Sequence, residues 1–253
     1  MRISALGAAV SGSLALAALT APAYAVDGSI TFSQVKVNGG KPIVLGTTAT
    51  RQFTITYTAE HADPLGDAGA WAKLYHGPYD TRDAWISSEK EAVCKDVSAT
   101  TTTCTQSLIA DPALSHNADA GTWHAQVCVV DSGNFSVCDR GLAPTLYKRA
   151  SRLTANAGPE PVTKGKKITI TGKLTRANWE KHDYRGYTSQ PVKLQFRKAG
   201  TSTYKTVRTV NTNSYGNLKT TVTASTDGYW RYSFAGTSTT APVTTAGDFL
   251  DVR

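Results

Sequence analysis

The chain has 253 residues, of which 40% are hydrophobic and 18% are charged, and its formal net charge is +8 at pH 7. Thr, Ser, Gly and Ala are abundant and long helical periodicity is absent, which excludes a fold built on long helices and indicates many short β-strands. The five histidines lie outside hydrolase and metalloprotease motifs, and neither a nucleotide-binding glycine loop nor an RNA-binding signature is present. We therefore expect no catalysis and no cofactor, with a hydrolase assembled from distant loops as the least favoured alternative.

Residues 1–25 have the features of a secretory signal peptide. A positive start at Met1-Arg2 precedes an apolar run from Ile3 to Leu19, and Ala23-Tyr24-Ala25 is a small-x-small cleavage site. The apolar run is too short for a membrane-spanning helix, and residues 248–253 form no apolar tail. We expect cleavage after Ala25 and a secreted protein that is held to the cell surface only by binding.

The remaining length suits two domains, predicted at residues 26–148 and 149–253. In the first, alternation of apolar and polar residues predicts strands, and the segment from Gly77 to Lys90 is predicted to be a long loop. The strands are expected at Ser29 to Val37, Arg51 to Thr58, Ala70 to His76, Thr122 to Val130 and Leu142 to Tyr147, with a hairpin around Cys94 and Cys104.

All four cysteines fall in the first predicted domain, and export would place them in an oxidising compartment. Spacings of ten residues do not suit the short ligand spacings of zinc sites, so structural disulfides are favoured. We predict the two local pairs Cys94–Cys104 and Cys128–Cys138, each closing a hairpin. The nested pairing, Cys94–Cys138 with Cys104–Cys128, is the alternative.

The second predicted domain shows the same alternation. The inward positions are expected at Ile168, Ile170 and Leu174, at Val192, Leu194 and Phe196, at Leu218 and Val222, and at Trp230, Tyr232 and Phe234. The segment from Arg176 to Thr188 is predicted to be a polar, aromatic loop. Seven or so short strands with turns every 8–12 residues fit an immunoglobulin-like sandwich.

The net charge is distributed unevenly. Residues 26–150 carry 10 Lys and Arg against 13 Asp and Glu, a net charge of −3, whereas residues 151–253 carry 16 against 6, a net charge of +10. A strongly basic surface attracts polyanions, and for an exported protein these would be anionic polymers of the cell wall or the extracellular space. An incidental charge on a structural spacer is the competing interpretation.

Two short runs echo each other: Asp119-Ala120-Gly121-Thr122-Trp123 and Asp227-Gly228-Tyr229-Trp230. Together with Val192 to Arg197, the second run resembles the bacterial immunoglobulin-like domains of secreted proteins, over most of residues 151–253. The first run resembles the Asp-x-Gly-x-Tyr corner of such domains, with Trp123 in place of Tyr and Ala125 in place of the core cysteine. The resemblance implies an all-β fold of two tandem immunoglobulin-like β-sandwiches with adhesion, spacer or binding roles.

Strand alternation selects a candidate polyanion site in the second domain. With Val192 and Leu194 inward, Lys193 and Arg197 point outward, and Tyr229 and Arg231 flank the inward Trp230. The third and sixth strands of an immunoglobulin-like domain share a sheet, so these four residues would share one open face. Arginines beside a tyrosine can pair with phosphate or carboxylate groups.

Four aromatic residues of the first domain form a candidate glycan site: Trp71, Tyr75, Tyr79 and Trp85. Burying Lys73 would be costly, which favours a strand that exposes Trp71 and Tyr75 on its outer face. The alternative packs Trp71 in the core while Lys73 reaches the solvent. A weaker hypothesis is a calcium site formed by Asp63, Asp67, Asp80 and Asp83, although no Asp-x-Asp-x-Asp loop is present.

Overall fold

The computed structural model describes residues 30–62, 65, 69–130 and 135–253. The predicted signal peptide, Asp63 and Asp67 lie outside these residues, as do residues 131–134 of the hairpin predicted between Cys128 and Cys138. The all-β prediction is confirmed, because the helical segments of the described chain are single 3-10 turns at Asn38–Gly40, Tyr79–Thr81, Pro112–Leu114 and Asn117–Asp119. None of the helical segments in the described ranges has the length and apolar character needed to cross a membrane.

Nine strands of the described chain form an N-terminal sandwich. They are β1 (Ile30–Val37), β2 (Ile43–Leu45), β3 (Arg51–His61), β4 (Ala70–His76), β5 (Ala84–Ile86), β6 (Val93–Ser98), β7 (Thr101–Ala110), β8 (Gly121–Val130) and β9 (Ser136–Arg149). One sheet has the order β1-β3-β7-β6 and the other the order β2-β9-β8-β4-β5. All neighbouring pairs are antiparallel except β2 and β9, which are parallel.

This strand order is that of an immunoglobulin domain. Strands β1, β3, β7 and β6 correspond to A, B, E and D, and strands β4, β8 and β9 correspond to C, F and G in the facing sheet. The alternation that predicted the strands also fills the core: Phe53, Ile55 and Tyr57 of β3 face Trp123 and the alternate residues that follow it on β8. These inward residues are at most 3% exposed.

Ten further strands form a C-terminal sandwich. They are β10 (Ser151–Leu153), β11 (Asn156–Gly158), β12 (Lys167–Asn178), β13 (Asp183–Gly186), β14 (Pro191–Lys198), β15 (Lys205–Asn211), β16 (Asn217–Thr223), β17 (Gly228–Phe234), β18 (Val243–Thr244) and β19 (Asp248–Leu250). In one sheet β12 is paired with β10, β11, β13 and β16; in the other the order is β15-β14-β17-β18, with β19 also on β17. Strands β14 and β17 are therefore neighbours, as an immunoglobulin-like topology requires of the third and sixth strands.

Two predicted loops contain regular structure. The segment from Gly77 to Lys90 includes β5, which pairs with β4 at the edge of its sheet. The segment from Arg176 to Thr188 continues β12 to Asn178 and returns as β13, so that it is a hairpin. Trp179 at its tip is 1% exposed and belongs to the hydrophobic core of the N-terminal sandwich.

Both predicted disulfides are confirmed. Cys94 and Cys104 are directly paired across β6 and β7, with 4.0 Å between their Cα atoms. Cys128 and Cys138 are paired across β8 and β9, with 4.2 Å between their Cα atoms. Each disulfide joins neighbouring strands within one sheet, in contrast to the disulfide between sheets that braces antibody domains.

The two sandwiches contact each other through ring packing and hydrogen bonds at a junction around Trp179 and Arg149. The Trp179 indole Nε1 donates to the Gly46 carbonyl at 2.8 Å, and its ring lies 5.2 Å from that of Tyr147. The backbone passes between the sandwiches at Arg149, whose amide donates to the Thr239 carbonyl at 3.0 Å. Burial lowers the pKa of the Arg149 guanidinium to about 10. The predicted division at residues 148 and 149 stays a prediction, because Trp179 contributes to the core on the other side of it.

Candidate functional site: a ladder of guanidinium groups and aromatic rings

The four residues of the predicted polyanion site lie on the outer face of the β14–β17 pair. Arg197 is directly opposite Tyr229, Lys193 is opposite Ser233, and Arg231 is opposite Gln195. The inward neighbours Val192, Leu194 and Tyr232 are fully buried, which turns these four side chains toward solvent. The position of these four side chains on the outer face follows from strand alternation. That this face binds a ligand stays a prediction.

Three of these residues stack with Tyr204 into a ladder. We use this name for Tyr229, Arg197, Tyr204 and Arg231. The Arg197 guanidinium lies 4.0 Å from the centre of the Tyr229 ring and 5.3 Å from that of Tyr204, and the Arg231 guanidinium lies 3.6 Å from the Tyr204 ring. The Phe249 ring, 5.2 Å from that of Tyr229, extends the stack at one end. Guanidinium groups stacked on rings keep their edges available to ligands.

Hydrogen bonds hold both guanidinium groups in place. Arg231 Nε donates to Gln195 Oε1 at 2.8 Å, and Arg197 donates through Nη1 to the Thr201 carbonyl. These contacts use only some of the five N–H donors of each arginine, and the others remain available to a ligand. Lys193 lies exposed on the same face but outside the ladder.

The ladder has no carboxylate partner within the described ranges. The ion pairs of the described C-terminal sandwich are Arg185–Asp183 and Arg253–Asp251, and neither includes a ladder residue. Two fixed guanidinium groups without a carboxylate partner can donate paired hydrogen bonds to phosphate or carboxylate oxygens. The ladder therefore has the chemistry of an anion-binding surface.

Tyr204 is the ladder residue that sequence reasoning missed. The pairing of β14 with β15 shifts by one residue between Leu194 and Gln195, so that Gln195 lies opposite Thr206 and Phe196 opposite Lys205. Continuing this register brings Tyr204 beside Arg197. Without the bulge, the register of Val192 to Leu194 would continue and place Lys205 opposite Arg197.

The candidate glycan residues lie together on the outer face of the N-terminal sandwich, with one correction. Ala72 and Leu74 face inward, and Trp71 and Tyr75 face outward, which is the favoured register. Tyr75 is nevertheless only 3% exposed, because the Tyr79 ring packs edge-on against it at 5.2 Å. Burial raises the pKa of the Tyr75 phenol, and its oxygen accepts from the Gly141 amide at 2.8 Å. Tyr75 therefore supports Tyr79 and is not itself a stacking platform; Trp85 is 61% exposed.

The calcium hypothesis gains no support from the described part of the chain. Asp83 binds the His76 imidazole Nδ1 at 2.8 Å, and Asp80 is exposed on a 3-10 turn. No group of three His, Cys, Asp or Glu side chains suited to a metal ion is present within the described ranges. Asp63 and Asp67 lie outside them, so the calcium site stays a prediction.

Comparison with known proteins gives similarity at the level of fold only. No protein-family model matches the chain, and no curated protein matches it. Among solved structures, the D00-D0 domain of intimin is 13% identical, covering 85% of this chain and 98% of its own, with a TM-score of 0.28. Three N-terminal domains of the highly immunogenic outer capsid protein of bacteriophage RB49 are 8% identical, covering 88% and 70%, with a TM-score of 0.34.

The tandem Ig repeats of Dlar are 10% identical, covering 89% of this chain and 98% of their own, with a TM-score of 0.22. Scores this low carry no weight for function. The fold assignment therefore depends on strand order and register, which show two immunoglobulin-like β-sandwiches in tandem.

Proposed function

We propose that this chain is an exported, non-catalytic binding protein that associates with anionic polymers of the cell envelope or the extracellular space through the ladder. The observation that carries the proposal is the pair of guanidinium groups, Arg197 and Arg231, held between aromatic rings without a carboxylate partner in the described chain. Two disulfides suit an oxidising, extracellular location.

The geometry suits a repeating ligand better than a small one. The ladder lies on an open sheet face and crosses neighbouring strands that are about 4.8 Å apart. The rings restrict the arginine side chains, so little conformational entropy is lost when an anion binds. The net charge of +10 on residues 151–253 adds long-range attraction, which raises the rate of encounter with a polyanion.

Salt dependence distinguishes this function from that of a structural spacer with incidental charge. Neutralising several charges of a polyanion releases its counterions, so true binding weakens steeply as salt rises. The experiment measures retention of the purified protein on isolated cell walls and on immobilised polyphosphate over a series of NaCl concentrations. A spacer with incidental charge would be retained only weakly and would be released by physiological salt, because non-specific attraction alone is weak there.

The matched variants separate the ladder from general charge. We expect Arg197→Gln with Arg231→Gln to lower the affinity at least about tenfold, since each removes a charge-assisted hydrogen bond of roughly 1.5–3 kcal/mol. The control, Lys167→Gln with Lys219→Gln, removes the same charge from exposed positions on the opposite sheet. Equal losses in the two variants would contradict a role for the ladder and leave only net charge.

A further inference from the structure

The outer face of the N-terminal sandwich holds a second group of cations and rings. We call it the front cluster and define it by six residues: Trp71, Lys73, Tyr79, Arg82, Trp85 and Arg140. Tyr79 is at its centre: the Arg140 guanidinium lies 3.9 Å from the ring centre, the Arg82 guanidinium 4.8 Å and the Lys73 ammonium 5.7 Å. Three cations thus surround one ring.

The flanking tryptophans extend this arrangement on both sides. The Lys73 ammonium lies 5.3 Å from the Trp71 ring, and the Arg82 guanidinium lies 5.9 Å from the Trp85 ring. Two contacts restrict the side chains of the cluster. The buried Tyr75 ring packs against the Tyr79 ring, and Arg82 Nη1 donates to the Tyr79 carbonyl at 2.7 Å. The front cluster is therefore largely preorganised.

The front cluster concentrates positive charge on a segment whose net charge is negative. Residues 26–150 carry a net charge of −3, yet three cations converge here, and the nearby carboxylates of Asp80, Asp83 and Asp139 form no ion pair with them within the described ranges. In the described part of this sandwich the ion pairs are His76–Asp83 and His116–Asp119, and neither includes a cation of the front cluster. Mutual repulsion of three cations favours a bound anion among them.

Two buried polar atoms beside the front cluster also lack partners. Gln126 is 2% exposed and lies directly opposite Lys73 on the neighbouring strand. Its Oε1 atom, and Nδ1 of His124 on the same strand, have no hydrogen-bond partner among the described residues. A buried polar atom without a partner is costly, and a ligand rich in hydroxyl groups can supply one.

We infer that the front cluster is a binding site for an acidic sugar unit of a polysaccharide. The rings of Trp71 and Trp85 provide stacking surfaces for the apolar face of a sugar, while Arg82, Arg140 and Lys73, which are held around the Tyr79 ring, pair with its carboxylate. A sugar hydroxyl directed between Lys73 and Gln126 would donate to the unpartnered amide oxygen. This site goes beyond the proposed function and does not depend on the ladder.

The test uses the full chain without its predicted signal peptide and follows tryptophan fluorescence, since Trp71 and Trp85 are both at least partly exposed. The probes are hexagalacturonate, a hexamer of a carboxylated sugar, maltohexaose, a neutral hexamer, and polyphosphate, which has charge but no sugar. We expect saturable binding of hexagalacturonate that is at least about tenfold tighter than binding of maltohexaose, because the neutral sugar forms no charge-assisted pairs.

Variants assign the binding to the front cluster. Arg82→Gln with Arg140→Gln should weaken hexagalacturonate binding at least about tenfold, as should Tyr79→Ser, while Arg51→Gln with Lys95→Gln on the opposite sheet should change it less than about twofold. Circular dichroism of each variant checks that the fold is retained. The ladder variant Arg197→Gln with Arg231→Gln should leave this fluorescence change intact, so the two proposals can fail separately.

Three results would overturn the inference. They are a flat hexagalacturonate titration, equal binding of maltohexaose, and a polyphosphate affinity at this face that equals that of hexagalacturonate. The last would make the front cluster a general anion patch without selectivity for sugars.

Discussion

At the scale of single residues, the two echoed turns differ in one hydrogen bond. Trp123 and Trp230 are each the third residue of a strand whose first residue is a glycine preceded by Asp119-Ala120 or by Asp227, and both are core residues at 2% and 6% exposure. The Trp123 Nε1 donates to the Asp119 carbonyl four residues upstream at 2.7 Å. This bond takes the place of the tyrosine corner of immunoglobulin domains, with an indole in place of a phenol. The Trp230 Nε1 is buried without a partner in the described chain.

This difference predicts unequal costs for one substitution. Trp→Phe removes similar ring volume at both sites, but only Trp123→Phe also leaves the Asp119 carbonyl without its donor. We expect Trp123→Phe to reduce the free energy of unfolding by about 1–2 kcal/mol more than Trp230→Phe does. Urea unfolding of the two variants measures this difference. Equal losses would show that the corner hydrogen bond contributes nothing net.

At the scale of elements, alternation predicted what faces inward but not where strands pair or end. The inward positions of β3, β8, β14 and β17 follow from a period of two, and the outer face of the ladder follows with them. The position of Tyr204 depends on the bulge between Leu194 and Gln195, which has no signal in composition. The β12–β13 hairpin was missed because its polar residues suited a loop, while the partner that buries Trp179 is more than 100 residues away in sequence.

The position of Tyr204 next to β14 also depends on a glycine. A Cβ atom built on Gly247 would lie 2.1 Å from the Tyr204 hydroxyl oxygen and 2.9 Å from the Tyr229 Cβ. We expect Gly247→Ala to displace Tyr204 from between Arg197 and Arg231 and to weaken polyanion retention about threefold or more, through lost stacking of roughly 0.5–1 kcal/mol. The binding assay proposed for the ladder measures it.

The control for this substitution is Gly165→Ala, which lies at a turn far from the ladder in sequence and has no atom within 4 Å of a built Cβ. Its φ of +85° costs some stability, so unfolding is measured for both variants. Full retention by Gly247→Ala would mean that Tyr204 does not position the arginines.

At the scale of the whole molecule, both sandwiches are centred on buried phenols. Tyr57 donates to the Cys128 carbonyl at 2.9 Å and Tyr232 donates to the Ile170 carbonyl at 3.1 Å, while the Tyr147 and Ser115 hydroxyls are 2.8 Å apart. Burial raises the pKa of Tyr147 and of Tyr232 to about 12 and raises that of Tyr57 as well.

These pKa values predict loss of stability in alkali. The unfolded phenols ionise near pH 10 and the folded ones only above it, so their contribution is complete below pH 10 and is lost as the pH rises toward 12. Each tyrosine with a pKa of about 12 accounts for roughly 2–3 kcal/mol of this loss. Urea unfolding at about pH 9 and about pH 11.5 measures it. Tyr147→Phe should make the loss smaller, and an unchanged loss would show that Tyr147 is not one of the groups responsible.

The junction determines whether the two sandwiches unfold as one unit. Trp179 is anchored by the Gly46 carbonyl and packs on the Tyr147 ring. The side-chain oxygen of Asn117 accepts from the Trp179 backbone amide at 3.1 Å, and the Asn117 backbone N–H donates to the Glu180 carboxylate at 2.9 Å. Trp179, together with Ala177, thus completes the N-terminal core from the C-terminal segment. Removing the Trp179 side chain should uncouple the sandwiches and expose apolar surface between them.

We therefore expect a single thermal transition for the native chain and two for Trp179→Ala, with the N-terminal sandwich losing about 3–5 kcal/mol. Calorimetry resolves the transitions. Loss of the near-ultraviolet circular dichroism of the aromatic side chains, followed over the same temperatures, identifies the sandwich that unfolds first. Trp85→Ala is the matched control, because it removes an equal side chain that is 61% exposed. A single transition in Trp179→Ala would mean that the remaining backbone contacts, from Arg149 to Thr239 and from Ala150 to Leu45, are enough to couple the sandwiches.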